Sequence, residues 1–366
     1  MTGASAARLR HHDARRSPAA NKHRAAAARA RIAAASTSNP LTGVRFFVDP
    51  SAAAAQAARR NPSLWAIARE PGTARFGSFS YPNAGAAVRW YLAQAARIEP
   101  GTVPMLATYR VVDGHCGSWA DPPADQASYH DFIAGFARGI GQHRAVLFLE
   151  MDSLITIGCL SPYGVAVRMQ ELHDAIGVLT ATCPNLIIYL DAGAGDAVSA
   201  TRTASLLNRA GVATIQGFFV NSTHFDWTSK EVRYGEAISR LTGGKHFVVN
   251  TGENGQGPLK PPNPVTQGNE VLCNPGGRGL GPRPTADTGI PNVDAFAWTS
   301  NPGESGGACV PGAPGAGQYW PAYAQMLVRN AHFDLNVSAI ARQARQIEAH
   351  GLPRRHRHRR HRPRRH

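Results

Sequence analysis

The sequence lacks the marks of several common protein classes. No run approaches the roughly 18 consecutive apolar residues that a membrane-spanning helix needs, so no membrane span is expected. The N-terminus offers basic residues and alanines without a Leu/Val-rich apolar core, so a standard signal peptide is not visible. Cysteine is scarce: Cys116, Cys159, Cys183, Cys273 and Cys309 show no CxxC or Cys/His spacing, which argues against a zinc site. No Gly-rich dinucleotide fingerprint follows the first strand-like run. No cofactor and no metal are therefore expected.

Acidic residues are nearly absent from both ends. The formal charge of +15, from 39 Lys/Arg against 24 Asp/Glu, divides into +7 within residues 1–40 and +8 within residues 352–366. The body between them is neutral. A basic folded face would point to nucleic acid, but two charged tails around a neutral body do not, and no specific nucleic-acid partner is expected. Residues 1–38, Ala/Arg-rich, and 352–366, Arg/His-rich, are too polar and charged to bury a core and are read as disordered. Their charge suits contact with anionic envelope polymers. Residues 336–351 are read as a helical extension, and residues 39–335 as a single large domain, expected to be monomeric.

That domain repeats one theme: a short β-branched and aromatic run ends in a polar residue, and a longer segment with helical spacing follows. The runs are Val44 to Asp49, Met105 to Val112, Ala145 to Asp152, Leu186 to Asp191, Ile215 to Asn221, His246 to Asn250 and Ala295 to Thr299. Between them, Tyr129, Phe132, Ile133, Phe136 and Ile140 share one helical face, as do Val165, Met169, Leu172, Ile176 and Leu179. Alternating strands and helices predict an α/β fold with a parallel sheet, and a barrel is favoured over an open doubly wound sheet.

In either architecture ligands bind at the C-terminal strand ends, and these carry Asp49, Asp113, Asp152, Asp191, Asn221 and Asn250. Any one of them alone is explained more readily by capping a helix or turn. Six together suggest recognition of sugar hydroxyls and acid/base work. The Gly- and Pro-rich stretch from Gly252 to Pro291 is read as a loop roofing the cleft. Two disulfides, Cys116 to Cys159 and Cys273 to Cys309, are compatible with this layout and imply an oxidising compartment. Cys183 is left over as a small buried apolar residue.

The segment Leu149-Glu150-Met151-Asp152-Ser153-Leu154 resembles the Glu-Pro-Asp-Ser-Leu hallmark of glycoside hydrolase family 6, the inverting cellobiohydrolases and endo-β-1,4-glucanases. Asn39-Pro40-Leu41, Phe47-Val48-Asp49-Pro50, Tyr189-Leu190-Asp191-Ala192-Gly193, Cys273 to Gly281, Pro302-Gly303-Glu304-Ser305 and Gly312-Ala313-Pro314 to Gly317-Gln318-Tyr319-Trp320 follow in the family's order. The resemblance covers residues 39 to 332 and is greatest to actinobacterial members. It implies a distorted seven-stranded parallel α/β barrel, TIM-like, with the same two disulfides, a polysaccharide substrate and secretion or association with the cell envelope. It also implies that Asp152 is the general acid and Tyr109 the residue that presses the sugar ring from its chair. Asn221 and Glu304 fall at sugar-contacting positions, and Asp191 begins a segment lining the cleft.

Other positions depart from the family's pattern. Gly114-His115-Cys116 stands where Arg-Asp-Cys is expected, so His115 replaces a carboxylate that raises the acid's pKa. Ala120 takes the place of a water-orienting serine, with Asp121 beside it. Gly306, Ser300 and Ala194 replace an aspartate, a lysine and a histidine, while tryptophans expected near Ala197 and at Leu272 are missing. The active site is thus read as degenerate, with weak or altered activity and with Asp113 and Asp121 as the candidate relocated bases. Three functions follow: an inverting β-1,4-glucanase or related hydrolase, a binding protein that holds polysaccharide through Trp119, Trp227, Trp298 and Asn221, and an envelope-attached structural protein. The first is favoured.

Overall fold

Six of the seven apolar runs become strands. The computed structural model describes residues 38–80, 82–111, 123–258 and 273–332, so both predicted tails and the 336–351 extension lie outside the described residues. The strands are β1 (Thr73–Gly77), β2 (Met105–Tyr109), β3 (Ala145–Leu149), β4 (Leu186–Asp191), β5 (Gly217–Val220), β6 (His246–Asn250) and β7 (Val293–Ala297). They pair in chain order, every pair parallel. The result is a seven-stranded α/β half-barrel, curled but not closed by a ladder between β7 and β1 among the described residues.

The first strand corrects the expectation. Val44 to Asp49 forms only an isolated parallel bridge, Phe46 with Val103, and the sheet begins instead at Thr73–Gly77. Phe46 and Leu41 plug the barrel interior beside Val103, so this run earns its apolar residues by packing rather than by a place in the sheet. Thr73-Ala74-Arg75-Phe76-Gly77 is only half-buried and carries a charge, yet it pairs residue for residue with Met105 to Tyr109.

Strand alternation sorts the core into two layers. Met105, Ala107, Val146, Phe148, Tyr189, Phe219, Val248 and Ala295 fill the barrel interior. Leu106, Leu147, Leu149, Ile188, Leu190, Phe218, Val220, Phe247 and Phe296 pack outward beneath the helices. Those helices are α1 (Ala53–Ala58), α2 (Trp65–Ala68), α3 (Ala84–Ile98), α4 (Pro123–Ile140), α5 (Pro162–Thr182), α6 (Ala200–Ala210), α7 (Thr228–Leu241) and α8 (Pro321–Arg329). The predicted stripes on α4 and α5 face this outer core. Ser161 and Ser199 cap α5 and α6, each accepting an N–H three residues on, and Gly211 ends α6 at φ 95°.

Side chains bridge the seam between β7 and β1. Thr73 Oγ1 donates to the Trp298 carbonyl at 2.8 Å, the Thr73 N–H donates to Asn301 Oδ1 at 2.8 Å, and Asn301 Nδ2 donates to the Thr73 carbonyl at 2.9 Å. The described flanks of the Gly252 to Pro291 stretch are partly buried and tie into the core. Leu280 is fully buried, and the Pro282 carbonyl accepts from Thr251 Oγ1 and Trp298 Nε1. Cys273 and Cys309 form the predicted disulfide, with Cα atoms 6.2 Å apart. Cys159 is also disulfide-bonded, its predicted partner Cys116 lying outside the described residues, and Cys183 is a buried free thiol. Among the described residues no helix is long and apolar enough to cross a membrane.

Candidate active site

After β3 the chain turns sharply, with Glu150 at φ 50° and Asp152 at φ 66°. Non-glycine residues adopt such left-handed backbone at a cost, so surrounding bonds must hold it. Fully buried Glu150 supplies several: its Oε2 accepts the Arg110 and Val111 N–H groups, both at 2.8 Å. The Glu150 N–H donates to Thr108 Oγ1 at 3.0 Å, and the Met151 N–H to the Thr108 carbonyl at 3.1 Å. Beyond Asp152, the Leu154 N–H donates to Asp191 Oδ2 at 2.9 Å. The turn is thus tied to the ends of β2 and β4.

Asp152 is half-buried at this rim. Thr223 Oγ1, from the loop after β5, donates to its Oδ1 at 2.7 Å, and Tyr109, at the end of β2, hydrogen-bonds the same carboxyl. Burial pushes the Asp152 carboxyl above its usual range, while Thr223, the nearby His224 and Arg75 charges, and Tyr109 pull it back. Fully buried Asp191 is pushed up to about 7, first by burial and second by the negative charge of Asp152. Repulsion is mutual, so the pair favours holding one proton between them. A protonated carboxyl at a barrel rim is what a general acid requires.

A second group of ionisable side chains stands beside the first. His224, buried next to Thr223, places Nδ1 2.9 Å from Asp196 Oδ1. Burial would raise the Asp196 carboxyl, but hydrogen bonding and charge from His224 hold it below its usual range. Glu231, fully buried on α7, accepts the Gly195 N–H at 2.9 Å, and burial lifts its carboxyl well above the usual range.

Glu304 lies across the seam. Its Oε2 is 3.3 Å from the Arg75 guanidinium on β1, and its Oε1 accepts from Asn301 Nδ2 at 2.8 Å. The Cys273–Cys309 bridge stands behind this loop, where Asn274 Oδ1 accepts the Gly306 N–H at 2.8 Å. Arg75 and Glu304 line a cavity of about 490 Å³ that opens at the seam.

The predicted site residues therefore divide. Asp152 and Tyr109 meet at one carboxyl, and Glu304 lines the neighbouring cavity. Asp191 is fully buried behind Asp152 and accepts backbone N–H groups rather than facing open space. Asn221, at φ 64°, commits its amide to the Asp226 and Asn250 backbones. Trp298 is buried in the core with Nε1 bonded to Pro282. Asp113, Asp121, Trp119 and His115 lie outside the described residues. At the altered positions, Ser300 Oγ donates to the Ser222 carbonyl and Ala194 is fully buried. Sequence reasoning missed Thr223, His224, Asp196 and Arg75. The first two follow a correctly read strand, so the loop beyond Asn221 was the available signal; Arg75 was hidden by the misplaced first strand.

A curled parallel α/β half-barrel with a half-buried carboxyl and a tyrosine at the C-terminal rim is the architecture that barrel glycosidases share. Comparison with known proteins specifies it further. Residues 41–331 match the pattern of glycosyl hydrolases family 6, and the chain belongs to that family. It is 32% identical over 305 residues to endoglucanase A of Cellulomonas fimi, spanning 80% of this chain and 62% of that enzyme. It is also 32% identical over 298 residues to endoglucanase 1 of Streptomyces halstedii, spanning 77% and 88%. The structure of the endoglucanase Cel6 of Mycobacterium tuberculosis, in complex with methyl-cellobiosyl-4-deoxy-4-thio-β-D-cellobioside, superimposes with a TM-score of 0.73 at 37% identity. That match covers 80% of this chain and 99% of the other.

Proposed function

We propose that the chain is a secreted glycoside hydrolase that cleaves β-1,4-linked glucan, or a closely related polysaccharide, with inversion at the anomeric carbon. One observation carries the reading: Asp152 combines a carboxyl raised by burial with a direct Thr223 bond and contact to Tyr109. In the proposed reaction Asp152 protonates the leaving glycosidic oxygen as the oxocarbenium-like transition state forms. Tyr109, anchored through the Glu150 bonds to the chain just after it, presses on the reacting sugar. Asp191 acts from behind as a positioning residue: it fixes the turn through Leu154, and the two carboxyls, which repel when both are charged, hold one proton between them. Water attacks the opposite face, with Asp113 or Asp121 as the proposed base; inversion in general requires acid and base roughly 6.5–9.5 Å apart.

The similarity to two curated endoglucanases and to an endoglucanase bound to a cellobiose-based thio-sugar supports the substrate class. The basic tails are proposed to hold the enzyme near anionic envelope polymers by charge alone. Burial of Trp298 removes one stacking platform from the binding-only reading. The test is reducing-sugar release by the full chain on soluble β-1,4-glucan, mixed-linkage β-glucan and envelope polysaccharides, with binding recorded in parallel. Release from a β-1,4-linked substrate is expected. Binding to any of these glycans with no release would replace the hydrolase by a holding protein.

A further inference from the structure

The cavity of about 490 Å³ sits where the sheet fails to close, and its lining has two characters. Ala54, Tyr91 and Tyr319, all partly exposed, make an apolar wall, while Arg75, Glu304 and Asn301 supply the polar groups. Arg75 and Glu304 are each about three-quarters buried, with side chains 24% exposed, and they meet end-on through one guanidinium nitrogen at 3.3 Å. A guanidinium carries five N–H donors, so this contact leaves most of them uncommitted. The Arg75 Nε–H is itself buried and has no acceptor among the described residues. A buried donor without an acceptor is costly, and such groups normally have a partner that arrives with a ligand or water.

Resting on the hydrolase reading above, we infer that Arg75 is a sugar-binding residue of this chain: its guanidinium and the Glu304 carboxylate form a donor–acceptor clamp for two adjacent hydroxyls of a neutral sugar ring lying against the apolar wall. The chemistry of the lining selects neutral sugar over uronic acid. Asp49 lines the same cavity as Glu304, and Glu70 there is already paired with Arg283 at 3.0 Å, so a carboxylated sugar would face like charge and find no cation beyond Arg75 among the described residues of the lining. A hydroxyl pair can accept from Arg75 and donate to Glu304 at once. The competing role is a strut, because Arg75 on β1 and Glu304 beyond β7 also span the seam.

Steady-state hydrolysis of cellotetraose by the full chain, beside thermal melting, separates these roles. For Arg75→Gln the clamp predicts a KM raised about tenfold or more, a smaller change in kcat, and a melting temperature within about 2 °C of the parent. Arg75→Lys, which keeps the charge but loses the planar fork, should recover part of the affinity. An unchanged KM, whether or not melting falls, would overturn the inference, as would a loss confined to kcat. Should the glutamine variant not fold, Arg75→Lys decides alone: a raised KM is expected and an unchanged one contradicts. If the parent chain neither binds nor cleaves cellotetraose, the β-1,4-glucan reading itself fails and the clamp falls with it.

Discussion

At Asp152, desolvation holds the proton on while Thr223 and the neighbouring cations draw it off. Two substitutions move this balance in opposite directions. Thr223→Val removes a donor that stabilises the charged carboxylate, so the pKa of Asp152 rises; because the proposed acid works protonated, the alkaline limb of the rate profile should move up by about half to one pH unit. Asp191, pushed up to about 7, carries its charge in the upper part of the pH range; there Asp191→Asn removes a negative charge beside Asp152, so the same limb should move down. A pH–rate profile of kcat/KM for both variants checks the pair, and movement in the same direction would contradict it. Legibility at this scale was uneven. Asp152 stood out within a motif, but nothing in the sequence says that Asp191 is sealed behind it or that Asn221 spends its amide on backbone. Burial and hydrogen-bond partners depend on how neighbouring loops fold inward, which periodicity does not encode.

At the scale of elements, apolar stripes on α4 and α5 were readable because a helix buried on one face must repeat its pattern every three to four residues. The edge strand β1 was not, since a half-buried strand with an arginine has no such pattern, and a plug segment with more apolar residues imitated it. The approach of α3 to α4 was also invisible. A Cβ at Gly139 would collide with the Gly85 carbonyl and the Val88 side chain, and one at Gly85 with the Gly135 carbonyl. Gly139→Ala should therefore destabilise the fold by about 1–3 kcal/mol despite the better helix propensity of alanine. Thermal or urea unfolding measures this; an unchanged or raised midpoint would show that the helices can separate without cost.

At the scale of the whole molecule, two basic tails flank a neutral domain whose barrel has an unclosed seam, and acids such as Glu253 and Glu304 gather along that seam. Glu253 accepts the Gly303 N–H at 3.2 Å and the Tyr323 hydroxyl at 3.3 Å, yet burial first, with the charge of Glu304 added, pushes its carboxyl up to about 7. The folded chain thus keeps a proton that the unfolded chain releases from about pH 4.5 upward. This contribution to stability is full below 4.5, declines through the interval and is lost above about 7. Asp191 adds to the same trend. Melting temperature should fall between pH 5 and pH 8, and Glu253→Gln should narrow that fall by about 2–4 °C. An equal fall in the variant would place the effect elsewhere. The barrel class and six strands were legible from chain-order alternation. The seam was not, because closure is settled by side chains such as Asn301 that bridge residues 228 apart in the chain.

Inverting hydrolysis with Asp152 as the proposed acid is decided by proton NMR of the first products released from cellotetraose by the full chain, beside Asp152→Asn. That mechanism gives α-anomers at the newly formed reducing end and a loss of roughly 10²- to 10⁴-fold in the variant. β-Anomers, or a variant as fast as the parent, would contradict it.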